Sequence, residues 1–434
     1  MPLAIIIIGA GATGLLAARE LSAAGFAVTL LEAAARPGGR MHTLTPLPAG
    51  TSLTAGAGEF SGPTEAGAEF IHGELELSLQ LAKEAGIPLH PVRAQMVRIR
   101  KGNWSGDGRT TEDWDELMEK MASLQEDQPI AVFLAQEFPG EKYAGLRDSV
   151  RRFAEGYDLA DMNRASTHAL YEEWAREGEE EEYRLEGGYR RLTDHLVTQC
   201  RTNGCSIHLS MPVTEIHWQP GRVEVRAAGG QVFSADRLIM TAPLGVLHAS
   251  DIRWSPSIAV QLQAVRQLGY GSVIKILLEF TVPFWREKKE TGRTLFILSD
   301  EPVPTWWTQP EDENTLLTGW LTGENMRIFQ SLPPDRRLGH CLSSLASIFA
   351  VGQDFLLREL KASRMLDWSA APFIKGGYSF ETVTGAKARD LLSQPIGQTL
   401  YFAGEAFYEG IAPATVEAAF SSGLAVAKKI IAQS

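Results

Sequence analysis

Apolar positions set the first expectations. Residues 5–8 are four consecutive isoleucines behind Leu3 and Ala4, a run that suits a strand buried on both faces of a parallel sheet. Gly9, Ala10, Gly11, Ala12, Thr13 and Gly14 follow at once. Leu15, Ala18, Leu21 and Ala24 then recur at roughly helical spacing up to Gly25, and residues 28–31 read as a second strand ending at Glu32 and Ala33. Residues 44–64, rich in Pro, Gly, Thr and Ala, read as a long loop or an edge hairpin. Leu77, Leu81, Ala82 and Ala85 share a helical face that Gly86 and Pro88 terminate, although the alternation of Leu75, Leu77, Leu79 and Leu81 also fits a strand. Helical periodicity runs through residues 110–175, punctuated by Gly140 and Gly156. A helix over 191–202 closes at Gly204, short strands follow at 207–209 and 212–218, and Gly229-Gly230 turns a hairpin within 223–240. Residues 271–280 predict a strand apolar on both faces, and 399–405 a strand ending in Gly-Glu. A last helix opens at Pro413 and runs to about Ile431, with the proline well placed in its first turn.

Composition narrows the field. A chain of 434 residues exceeds one dinucleotide fold and predicts two or three domains. With 41 Lys plus Arg against 53 Asp plus Glu, the formal charge of −12 argues against nucleic acid and favours a cationic small molecule. The run from Glu177 to Glu182, broken by Gly178, reads as a solvated loop. Cys200, Cys205 and Cys341 have no metal spacing, so no metal is expected and a reduced, cytoplasmic compartment fits best. The N-terminal apolar run lacks a basic flank and is broken by glycines, so it reads as strand rather than signal peptide. No apolar run approaches the ~20 residues of a membrane span.

The glycines of the first turn carry the earliest chemistry. Gly9 makes the turn, Gly11 admits a pyrophosphate against the backbone, and Gly14 lets helix and strand pack closely, with the helix N-terminus facing the phosphate charge. Glu32 is placed to accept a hydrogen bond from an adenosine ribose and to repel a 2'-phosphate. Arg36-Pro37-Gly38-Gly39-Arg40 adds two glycines and two cations, as a second phosphate-facing loop needs. From this point the sequence resembles the flavoproteins that carry an acidic strand end followed by Arg, two glycines and Arg, and that bind FAD.

Further segments sharpen the resemblance to the flavin-dependent amine oxidases of monoamine and polyamine oxidase type. Glu65-Ala66-Gly67-Ala68-Glu69-Phe70-Ile71-His72-Gly73 is similar to the segment that passes the flavin ring in the polyamine oxidase branch. It implies cofactor contacts at Gly67, Ala68, Glu69 and Phe70 and a catalytic His72 facing substrate. Thr241-Ala242-Pro243-Leu244-Gly245-Val246-Leu247 resembles the family's crossover to the substrate domain, and Val213 matches the position that meets adenine. A lysine inside an apolar strand is costly unless paired, and Lys275 either reaches solvent or has a function. Gly271-Ser272-Val273-Ile274-Lys275 before Pro283-Phe284-Trp285 matches the monoamine oxidase pattern, in which the lysine holds a water against flavin N5. Asp367-Trp368-Ser369 and Gly376-Gly377-Tyr378-Ser379 resemble the strand beside the flavin, with Tyr378 as an amine-facing aromatic. Trp306 and Trp307 are further substrate-facing candidates. Gly404, Glu405, Thr415 and Val416 complete the implied cofactor site, the last helix presenting its amides to the flavin C2 carbonyl.

Two departures stand out. Gly377 occupies the position where monoamine oxidases carry a flavin-linked cysteine, so FAD is expected without a covalent link. Ala412 replaces the usual second cage aromatic, leaving Phe407 or Tyr408 to compensate. The resemblance implies an α/β fold: a glutathione-reductase-like, Rossmann-like FAD domain from residues 1–75, 186–247 and 390–434. An α+β substrate domain of mixed sheet and helices takes 76–185 and 248–389. The expected activity is oxidation of a primary, secondary or polyamine to an imine, with molecular oxygen reduced to hydrogen peroxide. Alternatives are an L-amino-acid oxidase, which needs a carboxylate clamp such as Arg93, Arg98 or Arg100, a porphyrinogen or carotenoid desaturase, and a non-catalytic flavin-binding protein.

Overall fold

The four isoleucines divide between two cores, which is why the run is continuous rather than alternating. In the computed structural model, which describes residues 2–46, 58–92, 96–100, 103–105, 113–176, 181–287, 296–309, 314–410 and 412–433, they form β1 (Ala4–Ile8). Ile5 and Ile7 face helix α1 (Ala12–Ala23), the helix Tyr189–Thr202 and the C-terminal helix Val416–Ala432. Ile6 and Ile8 face the sheet built on Val213–Gln219, Arg222–Ala227 and Val232–Ala235. β1 lies at the centre of a five-stranded parallel sheet in the order Ser206–His208, β2 (Ala27–Leu31), β1, Arg237–Met240 and Leu400–Phe402. A parallel sheet needs cover on both faces, and here helices supply one side and the small sheet the other.

A second, seven-stranded sheet has Ile274–Phe280 next to its edge strand Leu360–Asp367, with Leu316–Leu321 on the other side. All seven residues of Ile274–Phe280 are buried, Lys275 included. The helices Trp114–Ser123, Ile130–Glu137, Ala144–Gly156 and Thr167–Arg176 pack around their own core of Leu117, Phe133, Phe138, Val150 and Trp174. No single helix among the described residues is long and apolar enough to cross a membrane. The bent pair Pro334–Phe349 and Gln353–Glu359 is apolar because it covers the seven-stranded sheet.

Several boundaries move. The last helix starts at Val416, not Pro413: Thr415 caps it by accepting a 3.1 Å hydrogen bond from the Ala418 amide, and Pro413 lies in the turn before. Helical pairing wins over alternation at Glu76–Glu84. Tyr189 rather than Arg191 opens the next long helix, directly after Gly188 at φ 79°. The lysine strand begins at Ile274. Thr43–Leu44 and Thr64–Glu65 pair antiparallel, as an edge hairpin requires, while 47–57 lie outside the described residues. Of the acidic run, 177–180 lie outside them too, and Glu182 belongs to the strand Glu182–Leu185 rather than to a loop. In the hairpin region, Arg222–Ala227 pairs with Val232–Ala235, whereas Arg237–Met240 leaves to join β1.

Candidate active site

One cavity of ≈ 1870 Å³ runs from the N-terminus of α1 to the four-helix cluster. Its volume is about twice the upper end of a small-ligand pocket, room for an extended dinucleotide and a second compartment. At the first end α1 has no side-chain cap, and Gly11, at φ −77° and ψ −172°, sits before amides that no helical carbonyl satisfies. A Cβ built on Gly11 meets nothing within 4 Å, so the turn opens freely onto the cavity. On Gly14 the same atom would stand 1.9 Å from the Gly9 carbonyl oxygen. Gly14 therefore faces strand, not cavity, and serves packing alone.

Glu32 accepts hydrogen bonds from the Ala10 amide at 2.7 Å and the Ala34 amide at 2.8 Å. Burial raises its carboxyl above the usual range, with those two amides and the Arg36 charge opposing. Gly38, Gly39 and Arg40 line the wall, but Arg36 does not: its guanidinium folds back onto the carbonyls of Pro37 and Gly39 at 3.2 and 2.9 Å and staples the loop. Ala10 is fully buried beneath the turn. Arg40 Nη1 donates to the Gly377 carbonyl at 2.7 Å and to Glu405 at 2.9 Å, tying the glycine loop to the bend before Tyr378 and to the C-terminal Gly-Glu. Gly9, Ala12, Thr13, Ala33, Gly67, Ala68, Phe70, Val213, Trp368, Gly404, Glu405, Thr415 and Val416 all reach the same wall. The open turn, the acidic strand end and the uncapped helix end together fit a dinucleotide.

Lys275 lies at the junction of the two compartments, 1% exposed. It neither reaches solvent nor stands unpaired. Its Nζ donates to Glu69 Oε2 at 2.8 Å and to the Gly67 carbonyl at 3.0 Å, and lies 5.4 Å from the centre of the Trp307 ring. Glu69 lies on the same wall, and its carboxylate is held by side chains: Oε1 accepts from Arg184 Nε and Trp307 Nε1, both at 3.1 Å. Burial by itself would raise the Glu69 carboxyl, yet the charges of Lys275 and Arg184 and its hydrogen bonds hold it below the usual range. Nearby Glu65, bonded to the Tyr189 amide at 2.6 Å and Thr43 at 3.0 Å, is pushed up to about 7, burial outweighing those bonds.

In the second compartment His72 reaches the wall with Nδ1 held by Glu182 at 3.0 Å. The Tyr378 hydroxyl donates to the Tyr157 carbonyl, and burial, reinforced by Asp158, Tyr157 and Glu173, raises its phenol well above normal. Trp307, Phe407, Tyr408 and Arg98 are wall residues. Trp306 is not: strand residues alternate in direction, so it points into the core, fully buried, with its indole N–H on the Val303 carbonyl at 3.1 Å. Arg93 and the side chain of Arg100 lie outside the described residues. A Cβ on Gly377 would stand 2.5 Å from Leu159 Cδ1, so nothing as large as a cysteine side chain fits there without movement. Sequence reasoning missed Arg184, which holds Glu69, and the cavity-lining Glu182, Trp114, Phe153, Tyr157 and Trp174, the four rings coming from three different helices and the cap of one of them. Glu69 and Lys275 are 206 positions apart, and no local pattern signals their pairing.

The family model of flavin-containing amine oxidoreductases matches residues 12–431. The chain belongs to that family. FAD is accordingly its cofactor. Among curated relatives, the human "Lysine-specific histone demethylase 2" is 26% identical over 99% of this chain and 53% of its own length. The Arabidopsis thaliana "Lysine-specific histone demethylase 1 homolog 2" is 28% identical over 98% of this chain and 58% of its length. This chain thus spans somewhat more than half of those proteins. Two solved structures share the fold: a putrescine oxidase bound to putrescine, with TM-score 0.77, 22% identity and coverage of 100% and 99% of the two chains. The cyclohexylamine oxidase of Brevibacterium oxydans gives 0.79 and 22%, with the same coverage.

Proposed function

We propose that this flavoprotein oxidises the C–N bond of a primary, secondary or polyamine, holding FAD without a covalent link and using oxygen as the final acceptor. The observation that carries the reading is Lys275, a buried ammonium on the wall of a cavity that also contains an open dinucleotide turn. When bound, FAD would supply the redox chemistry, a two-electron oxidation in which the amine loses a hydride and a proton to give an imine that water hydrolyses, with oxygen reduced to hydrogen peroxide.

The chain's residues position and exclude. Amides at the α1 N-terminus, helped by the helix dipole, would hold pyrophosphate, and Glu32 would accept ribose hydroxyls. Arg40 keeps the walls around Gly377 and Glu405 together. The N-terminus of Val416–Ala432 lines the same cavity and would favour negative charge there. With two of the three Lys275 donors taken by Gly67 and Glu69, the third is left to hold a water or oxygen in the cavity. Tyr378 offers an aromatic face to the amine, and His72, oriented through Nδ1 by Glu182, takes the proton an incoming ammonium must lose. A second reading is N-methylated lysine in a peptide, which needs the same C–N oxidation; the demethylase relatives favour it. Anaerobic mixing with a panel of monoamines, diamines, polyamines and methyl-lysine peptides tests both. Bleaching of the yellow flavin is expected with at least one class, and a flavin that no amine bleaches overturns the oxidase reading.

A further inference from the structure

We infer that Glu69 is the positioning residue that holds the Lys275 ammonium in place and charged, an inference resting on the role given to Lys275 above. An ammonium buried to 1% needs compensation, or it gives up its proton. Glu69 Oε2 supplies that compensation at 2.8 Å, and the carboxylate is itself fixed from a third direction. Trp307 Nε1, from Thr305–Trp307, and Arg184 Nε, from Glu182–Leu185, both reach Oε1, while Arg184 Nη2 bonds the Thr308 carbonyl at 3.2 Å. Three strands thus converge on one carboxylate, so neither it nor Lys275 has freedom to swing.

The arrangement is expensive for a merely structural brace. Side chains of Lys275, Glu69 and Arg184 are 1%, 3% and 10% exposed, and well-packed apolar residues often replace such buried clusters without loss of stability. One carboxylate against two cations leaves a net positive charge at the cavity wall. The other groups facing Lys275 change this little: Trp320 and Leu366 are its uncharged cross-strand neighbours, and Glu65 is a further carboxylate in electrostatic range, with its own charge weakened by burial. The third Lys275 donor therefore stays aimed and charged where oxygen or water must be held. Without Glu69 the same lysine becomes a buried amine with a mobile proton.

The test uses the FAD-loaded enzyme and its best amine from the panel, comparing Glu69→Gln, Glu69→Asp, Lys275→Met and the double variant Glu69→Gln/Lys275→Met. Flavin reoxidation is followed by stopped flow over about pH 6 to 9, and Lys275 acylation by an amine-reactive ester is followed by peptide mass spectrometry. Wild type should show a flat reoxidation profile over that range and slow acylation. Glu69→Gln should lose at least roughly tenfold in reoxidation as pH rises, and its Lys275 should acylate at least roughly tenfold faster. Glu69→Asp, which keeps the charge, should restore the flat profile, and the double variant should match Lys275→Met because the two residues act as one unit. If Glu69→Gln does not load FAD, Glu69→Asp carries the test, expected slower by severalfold with a flat profile; an unchanged rate there overturns the inference. A flat wild-type-like profile and unchanged acylation in Glu69→Gln, with Lys275→Met impaired, removes Glu69 and leaves the lysine's role standing. Wild-type rates in Lys275→Met remove both.

Discussion

Replacing Gly11 by alanine separates cofactor binding from folding. In the protein Gly11 adopts φ −77° and ψ −172°, a conformation open to alanine, and a Cβ there finds no atom within 4 Å. Stability of the FAD-free chain should therefore change by no more than about 0.5 kcal/mol. The new methyl projects into the space where a pyrophosphate must approach the first amides of α1. Losing one or two charge-assisted hydrogen bonds there removes about 3 kcal/mol, roughly a hundredfold in the Kd for FAD. Titrating FAD-free protein and following the quenching of flavin fluorescence measures the affinity, and thermal melts without FAD measure the fold. Gly14→Ala is the control with the opposite outcome: its Cβ would stand 1.9 Å from the Gly9 carbonyl oxygen, so the FAD-free melt itself should fall by an overpacking cost of about 1–3 kcal/mol. Wild-type affinity in Gly11→Ala, or a lower melt without FAD, would refute the placement of the phosphate at this turn.

Other consequences can be checked directly. The Glu65 carboxyl, raised by burial to about 7, is neutral in the fold at lower pH but ionised when unfolded, so stability falls as pH rises from the ordinary carboxylate value to about 7. Glu65→Gln should accordingly gain up to about 3 kcal/mol relative to wild type at about pH 8 and no more than about 1 kcal/mol at about pH 5, less the change in its two hydrogen bonds; parallel urea curves at both pH values that differ equally would contradict this. Because Gly377 carries no nucleophile and Leu159 fills the space beside it, acid precipitation should release FAD into the supernatant and leave a colourless pellet. A pellet that stays yellow would show a covalent link.

Local chemistry made the cofactor half legible from sequence. A continuous apolar run, glycines at fixed offsets and an acidic strand end constrain one another within about thirty residues, because turn, phosphate approach and helix packing all act over that distance. The tertiary structure decided what depends on direction and on long-range encounters. Trp306 and Trp307 are indistinguishable in sequence, yet strand alternation sends one to the core and the other to the cavity. Gly14 and Gly11 share a motif but face opposite ways. The partner of Lys275 is a carboxylate 206 positions earlier, brought to 2.8 Å because three strands from two sheets and the 67–70 segment meet at one wall. Sequence alone required that a buried ammonium be compensated; which residue does so was settled only by packing, since charge pairing acts through space and leaves no period along the chain.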